Sequence, residues 1–420
     1  MIKKLFTTHK ETINNFTWRA LQIFGKQGIT FLIFVISAKL LNPYDFGIYN
    51  YILTIVYTLI VFGDFGISAA TSKYVAEYNA IDKNKIQTLI SNSLIIIVCV
   101  GILISLLIIF VGGYILKDKF IYILYALPMI FLSPISSLYD GVFRGLKRFK
   151  ELAILSLVVS IISIIFVVIL VTNNGIYGAL ISQNLFYLTM VLVLMISYGK
   201  LKSKFNPNII KFILRYSIII GISSVAYLLY SRIDILVLGY YGYIKEIGYY
   251  ELTNRLFTLL MLPFLMFAQV IAPNITSYYS RKDYKTVRIK FKKYIYYSAI
   301  SSIIVVIGSY VIYPFLIKTF FNGYYVNEFI VMMNILLPLF VLKVLGGGII
   351  TQGFTTPTGH ASLNMKILLI TGPLNLVLDL IFINLYGYIG IIYATFVVWL
   401  MSSSLLIYIY YYKYLNKNDK

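Results

Sequence analysis

Polar positions along this chain gather in short clusters separated by long apolar stretches. One of these, "SNSLIIIVCVGILISLLIIFVGGYI", runs from 91 to 115 without a charged side chain. About 20 such residues in a helix cross a hydrocarbon layer of roughly 30 Å. The pattern predicts spans near 18–40, 47–69, 88–112, 120–138, 151–171, 175–197, 213–239, 249–271, 294–317, 327–350, 362–384 and 387–410. Backbone groups in lipid must bond within their own segment, so each span is expected as a helix. A β-barrel would show ten-residue alternations instead of continuous blocks. The expected fold is an all-α polytopic membrane protein with about 12 transmembrane helices, lying multi-pass in the cell (plasma) membrane.

Composition narrows the function classes. The chain is 60% hydrophobic and 12% charged, against about a quarter charged for a soluble domain. Its formal charge of +21 would suit nucleic acid only if gathered on a soluble, readable domain. No such domain exists, so nucleic acid is excluded as a partner. Cys99 stands alone, which excludes a disulfide framework and a thiolate metal site. No clustered ligand set, nucleophile–His–acid arrangement or phosphate loop occurs. No metal, no cofactor and no enzymatic turnover are therefore expected. The start, "MIKKLFTTHKETINNF", has a basic flank without a cleavage pattern and is read as retained.

Basic runs such as "FRGLKRFK", from Phe143 to Lys150, carry orientation. With a cytoplasmic N-terminus, the inner segments hold 25 Lys and Arg, and the outer loops only Lys117, Lys119, Lys245 and Lys318. The positive-inside rule then places both termini in the cytoplasm. Attraction to anionic headgroups is the physical complement of that asymmetry.

The second half repeats the first. A shift of about 201 residues lays "YGYIKEIGYYELTNRLFTLL" over "NPYDFGIYNYILTIVYTLI", with Gly248 on Gly47 and Asp283 on Asp82. A slightly larger shift sets Gly353 on Gly145. This predicts two six-helix halves, 1–198 and 211–420, joined by a cytoplasmic linker at 199–210. Both halves begin inside, so the repeat is parallel, an arrangement that suits alternating access.

Charges within spans need separate reasons. Arg19, Gln22 and Lys26 fall at i, i+3 and i+7, one helical face. A cation at the bilayer centre costs at least about 2.5 kcal/mol, so this face should meet protein or water. Arg19 could instead snorkel to the headgroups, and Asp64 could pair with Arg19 or Lys26 or hold a proton or sodium ion. In the second half, Glu251 and Arg255 have ion-pair spacing, with Asn254 beside them. Arg232 and Asp234 are two apart and need separate partners. The group is either a self-neutralised Asp–Arg–Glu–Arg network or a lobe whose positive character meets an anionic substrate, which the guanidinium fork suits. Substrate-cavity candidates are thus Arg19, Gln22, Lys26, Arg232, Asn254 and Arg255. Candidates for ion coupling or ion pairing are Asp64, Asp234 and Glu251, with the last two expected to be occupied by the arginines. Gly25, Gly28 and Gly346–Gly348 are packing or hinge candidates.

The stretch Ala38, Lys39, Leu40, Leu41, Asn42, Pro43, Asp45, Phe46, Gly47 resembles the first helical hairpin of the polysaccharide-biosynthesis flippases. These belong to the multidrug/oligosaccharidyl-lipid/polysaccharide exporter superfamily. "DGVFRGLKRFKELAI", through Gly141, Arg144 and Gly145, is similar to their link between helices four and five. "SRIDILVLG" and "TPTGHASLN" resemble second-half counterparts, and the likeness runs from about 15 to 410. Lys39 stands where arginine is usual. The twelve-helix length departs from the fourteen usual in peptidoglycan-precursor flippases. The resemblance implies a transporter flipping a polyprenyl-diphosphate-linked oligosaccharide from the inner to the outer leaflet for surface polysaccharide biosynthesis. It also implies glycan polymerase or glycosyltransferases as partners. Net movement of so large an amphiphile needs a drive, and with no ATP-binding sequence that leaves consumption of the substrate on the outer side or a proton or sodium gradient. The alternatives are a cation-coupled multidrug exporter of the same superfamily and a non-transporting scaffold of a glycan-assembly complex.

Overall fold

A computed structural model describes the backbone of residues 2–201, 205–320 and 326–415, and side chains from residue 17 onward except at 316, 320 and 326. Lys3, Lys4, Lys10, Lys202, Lys204, Lys417 and Lys420 of the inner-segment count lie outside the described side chains. The chain is a multi-pass, all-α membrane protein. Among the described residues, ten helical stretches are long and apolar enough to cross a membrane. Their outward faces are apolar: Phe110 is 73% exposed and Val311 75%. In water such surfaces would aggregate; in a bilayer they meet lipid.

The helices gather into two compact units, Met1–Val225 and Ala226–Lys420. The first holds α1 (Ile2–Leu40), α2 (Pro43–Asp64), α3 (Ile67–Ile81), α4 (Asn84–Leu116), α5 (Phe120–Ala126), α6 (Met129–Gly145), α7 (Phe149–Tyr198) and the start of α8 (Pro207–Ser231). The second holds the end of α8, α9 (Ile233–Tyr240), α10 (Ile244–Ser280), α11 (Tyr284–Phe320), α12 (Val326–Leu336) and α13 (Phe340–Lys343). A π-helical stretch Val344–Thr355 follows, then α14 (Ala361–Tyr386) and α15 (Tyr388–Ile409).

Several expected spans are broken within their length. The span at 47–69 breaks at Phe65 and Gly66, both left-handed, dividing α2 from α3. The span at 213–239 breaks at Arg232, dividing α8 from α9. The 50-residue α7 is two arms joined at Gly175, with φ 52° and ψ −129°. Gly387 repeats that conformation between α14 and α15, at φ 63° and ψ −150°. A side chain strains a positive φ, so glycine supplies both reversals. Three residues on, a Cβ would stand 1.9 Å from the Leu170 carbonyl oxygen at Gly178 and 2.1 Å from that of Phe382 at Gly390. The same Gly-x-x-Gly reversal thus closes both units, an internal repetition that the 201-residue comparison did not include.

Charged clusters at the helix junctions act locally. In "FRGLKRFK", Arg144 Nε lies 2.8 Å from Asp140, and Arg148 grips Glu151 through two bonds of 2.6 Å. Arg148 also donates to the Ser197 carbonyl at 3.1 Å, tying the turn before α7 to the end of that helix. Asp82 accepts from the Asn84 N–H at 3.1 Å and Asp283 from that of Thr286 at 3.0 Å, so these aligned aspartates both receive the start of the next helix. Outside the membrane spans, the bonds from Thr286 hold the Asp283 carboxyl below the usual carboxylate range.

The interior of the first unit turns on the crossing of α3 and α6. Ile67, Ala70, Val75, Leu89, Leu138 and Val142 form its apolar core. Gly141 and Gly145, four apart on α6, lie against the α3 backbone. A Cβ at Gly145 would stand 2.8 Å from the Ser72 carbonyl oxygen, and one at Gly141 3.0 Å from that of Ser68. Small residues at this spacing let helices approach closely, so dispersion can hold them where lipid removes the hydrophobic drive. Gly28 has nothing within 4 Å of its missing Cβ. We expect Gly145→Ala to destabilise the detergent-purified protein by about 1–3 kcal/mol through overpacking. Gly28→Ala should leave it unchanged or slightly more stable, since alanine favours the helix. Thermal unfolding followed by circular dichroism checks both; equal midpoints would contradict the close crossing.

Candidate functional site

In the first unit, Arg19, Gln22 and Lys26 share one face of α1, as their spacing predicts. Gln22 is buried and donates to Asp140 Oδ2 at 3.0 Å and to Ser156 Oγ at 3.1 Å. Arg19 donates to the Gln22 side-chain carbonyl, and its guanidinium lies 3.9 Å from Asp140. Arg144 holds the other Asp140 oxygen at 2.8 Å. Lys26 continues the face, half-buried, its Nζ 5.7 Å from the Phe186 ring centre. No carboxylate stands within ion-pair distance of Lys26 among the described residues. Two arginines therefore share the carboxylate of Asp140, with Arg19 still 30% exposed, while Lys26 lies beyond ion-pair distance on the same face.

The expected pairing of Asp64 with Arg19 or Lys26 is corrected. Asp64 accepts from the Ser68 N–H at 3.1 Å and from the Ser68 hydroxyl at 2.5 Å, capping α3 across the Phe65–Gly66 break. Its Oδ1 is used by the start of a helix, and the partner of Arg19 comes from α6 instead.

In the second unit, the break at Arg232 aims its guanidinium at Glu251, which is 3% exposed and accepts from it. Arg255 lies 3.9 Å from the other Glu251 oxygen, one turn along α10. Glu251 is thus shared by both arginines, as expected. Asn254 is half-buried beside them. The expectation that an arginine also occupies Asp234 is corrected. Asp234 points away from Arg232 and accepts from Tyr250 OH at 2.6 Å and Asn375 Nδ2 at 2.9 Å.

Beside Asp234 lies a residue that sequence reasoning missed. Asp379 on α14 is fully buried, its carboxyl within hydrogen-bonding reach of that of Asp234. No donor among the described groups reaches either Asp379 oxygen, or Oδ1 of Asn375. Thr395 Oγ1, 3.1 Å from Tyr250 OH, adds a further oxygen. Acceptor oxygens outnumber donors at this place. Two buried carboxylates cannot both keep full charge without a compensating proton or cation, and clustered hard oxygens suit a small hard cation. The available signal was Asn375 and Asp379 at i and i+4 inside an otherwise apolar run. Their partner, Asp234, sits far away in sequence. Among the described residues, no group of three or more His, Cys, Asp and Glu side chains could hold a metal ion.

The remaining motif residues build helices. Asn42 caps α2, its Oδ1 accepting from the Asp45 N–H at 2.9 Å while its Nδ2 donates to the Asp45 carboxylate at 2.7 Å. Pro43 fills the first helical position, where no N–H is missed. Gly47 is buried, and Lys39 is exposed at the end of α1. Gly141 and Gly145 form the close crossing described above, and Arg144 joins the Asp140 cluster.

Comparison with known proteins agrees with this architecture. The sequence pattern of the family described as "Polysaccharide biosynthesis protein" matches residues 12–279, more than half of the chain. The chain is 28% identical over 399 residues to the uncharacterized membrane protein MJ1375 of Methanocaldococcus jannaschii, covering 88% of this chain and 91% of that one. Its fold is similar to an inward-facing multidrug resistance MATE family transporter of the MOP superfamily, with a TM-score of 0.74 at 15% identity over 95% of this chain and 99% of that one. It is also similar to the lipid II flippase MurJ in an inward closed conformation, with a TM-score of 0.70 at 19% identity over 95% and 86% of the two chains. This multi-pass membrane protein belongs to the polysaccharide biosynthesis protein family.

Proposed function

We propose that the protein flips a polyprenyl-diphosphate-linked oligosaccharide from the inner to the outer leaflet, for assembly of a surface polysaccharide. The observation that carries this is a cation surplus: Arg19 and Arg144 share Asp140, and Lys26 on the same α1 face has no carboxylate within ion-pair distance among the described residues. Half-exposed positive charge within membrane helices suits a diphosphate, whose oxygens accept charge-assisted bonds from a guanidinium fork and an ammonium. Arg232 and Arg255 around Glu251 give the second unit a smaller surplus of the same sign. A cationic drug would favour embedded carboxylates open to it. Asp140 and Glu251 are instead engaged by arginines. The flipping reading needs no covalent step, and glycosyltransferases or a glycan polymerase supply and consume the lipid on either side.

The topology that goes with this reading has twelve crossings in two six-helix halves, 1–198 and 211–420, linked at 199–210, with both termini cytoplasmic. The two-armed α7 and the Gly387 reversal support that count, because each arm of α7 is about the 20 residues needed to cross. Net movement needs a drive. We assign the coupling ion, a proton or a sodium-sized cation, to the Asp234–Asp379 pair, because both buried oxygens of Asp379 lack donors among the described groups.

Two outcomes follow for protein reconstituted in liposomes with a fluorescent lipid-linked oligosaccharide. Arg19→Gln and Lys26→Gln should each slow flipping about tenfold or more, the order of one lost hydrogen bond to a charged group, while Lys26→Arg retains most of the rate. Full activity in both glutamine variants would overturn the anionic-substrate reading. With imposed proton or sodium gradients, Asp379→Asn should lose the gradient response, whereas Asp64→Asn, which can still cap α3, should keep it. The opposite pattern would return the coupling role to Asp64.

A further inference from the structure

Lys343 is a further charge within the membrane helices. It closes α13, where the helix widens into the π-helical stretch Val344–Thr355. Long π-helical runs are rare and gather at functional sites. The Lys343 Nζ donates to Tyr230 OH at 2.7 Å and lies 3.9 Å from the Trp399 ring centre and 4.7 Å from that of Tyr230. Tyr230 OH is fixed in turn by Ser402 Oγ at 3.1 Å. Among the described residues no carboxylate stands within ion-pair distance of Lys343. The ammonium is held by aromatic faces and one hydroxyl.

The carboxylates nearest in kind are those of Asp234 and Asp379. Lys343 is close enough for its charge to act on Asp234. One helix face connects the two places. Thr395, Trp399 and Ser402 follow at i, i+4 and i+7 on α15, Thr395 bonded to Tyr250 beside Asp234, and Trp399 and Ser402 forming the lysine's cage. The pair and the cage are thus neighbouring stations along one helix.

The geometry points to Lys343 as a tethered counter-ion of the Asp234–Asp379 pair, held in the Tyr230–Trp399 cage while a small cation occupies the carboxylates and opposing that cation's binding. This rests on the reading of the pair as the coupling-ion site. A fixed positive charge nearby weakens the pair's hold on any mobile cation, and that weakening allows release. A pair left with no opposing charge would trap its ion. Lys343 therefore sets the affinity of the site without touching the transported lipid.

The chain has two tryptophans, Trp18 and Trp399, so Trp18→Phe leaves Trp399 as the reporter under the ammonium. In that background, sodium chloride is titrated at fixed pH, with N-methylglucamine chloride keeping ionic strength constant. Trp399 emission is followed, and equilibrium dialysis with radiolabelled sodium measures binding directly. Lys343→Met should bind sodium about tenfold more tightly, or bind it where the parent does not, and its Trp399 emission should no longer respond. Lys343→Arg should restore the parental affinity, which separates charge from loss of fold. Asp379→Asn should abolish binding. Equal affinities for parent and Lys343→Met, with binding still dependent on Asp379, would overturn the role of Lys343 alone. Sodium binding absent from both proteins, or untouched by Asp379→Asn, would overturn the assignment of the pair and the role of Lys343 with it.

Discussion

A cation carried into a bilayer-spanning helix must be answered by an opposite charge, a polar partner or a ligand, because lipid offers none. The structure meets that constraint differently in its two units. Around Asp140, two arginines share one carboxylate with Lys26 along the same face, and Gln22, itself bonded to Ser156, donates to that carboxylate directly. In the second unit the balance is reversed a short way from the arginines. Asp234 and Asp379 stand together with hydroxyl and amide groups but no arginine. One place is short of negative charge and the other of positive charge. A transporter of an anionic lipid driven by a cation needs both.

The packing that holds these groups in place is made by small residues and by breaks. The α3–α6 crossing depends on Gly141 and Gly145, and the same α6 carries Asp140 and Arg144 between and beside them. Anything that pushed α6 away from α3 would move the Asp140 carboxylate from Arg19 and Gln22. The break at Arg232 has a similar part in the second unit. By ending α8 there, the chain turns Arg232 toward Glu251 and Asp234 toward Tyr250, two directions that a continuous helix could not give residues two apart.

Much of this was legible in the sequence. Continuous apolar blocks announced membrane helices, and i, i+3, i+7 spacing placed Arg19, Gln22 and Lys26 on one face. Glu251 and Arg255 met at i, i+4, because such pairs are set by helix geometry alone. Two of the misses share one cause, which is that the partners lie far apart in the chain. Asp140 was hidden as a partner for Arg19 because 121 positions separate them. Asp64 was read as a partner for Arg19 or Lys26 because its capping bond to Ser68 appears only once the helix breaks at Phe65. Asp379 carried no local counter-charge, and its relation to Asp234 exists only where α14 meets α9. The likeness around Asn42, Pro43 and Asp45 drew attention to a helix cap, and that around Gly141 and Gly145 to a close crossing. Both are scaffolding rather than substrate contacts.

The central claim is that the cation cluster on α1 and α6 recognises a diphosphate carried on a lipid. Native mass spectrometry of the purified protein with polyprenyl diphosphate, polyprenyl monophosphate and the uncharged polyprenol in competition tests this most directly. The account predicts retention in the order diphosphate, monophosphate, polyprenol, with the preference for diphosphate collapsing when Arg19 and Lys26 are both replaced by Gln. Equal retention of the three lipids, or a diphosphate preference that survives the double replacement, would contradict it.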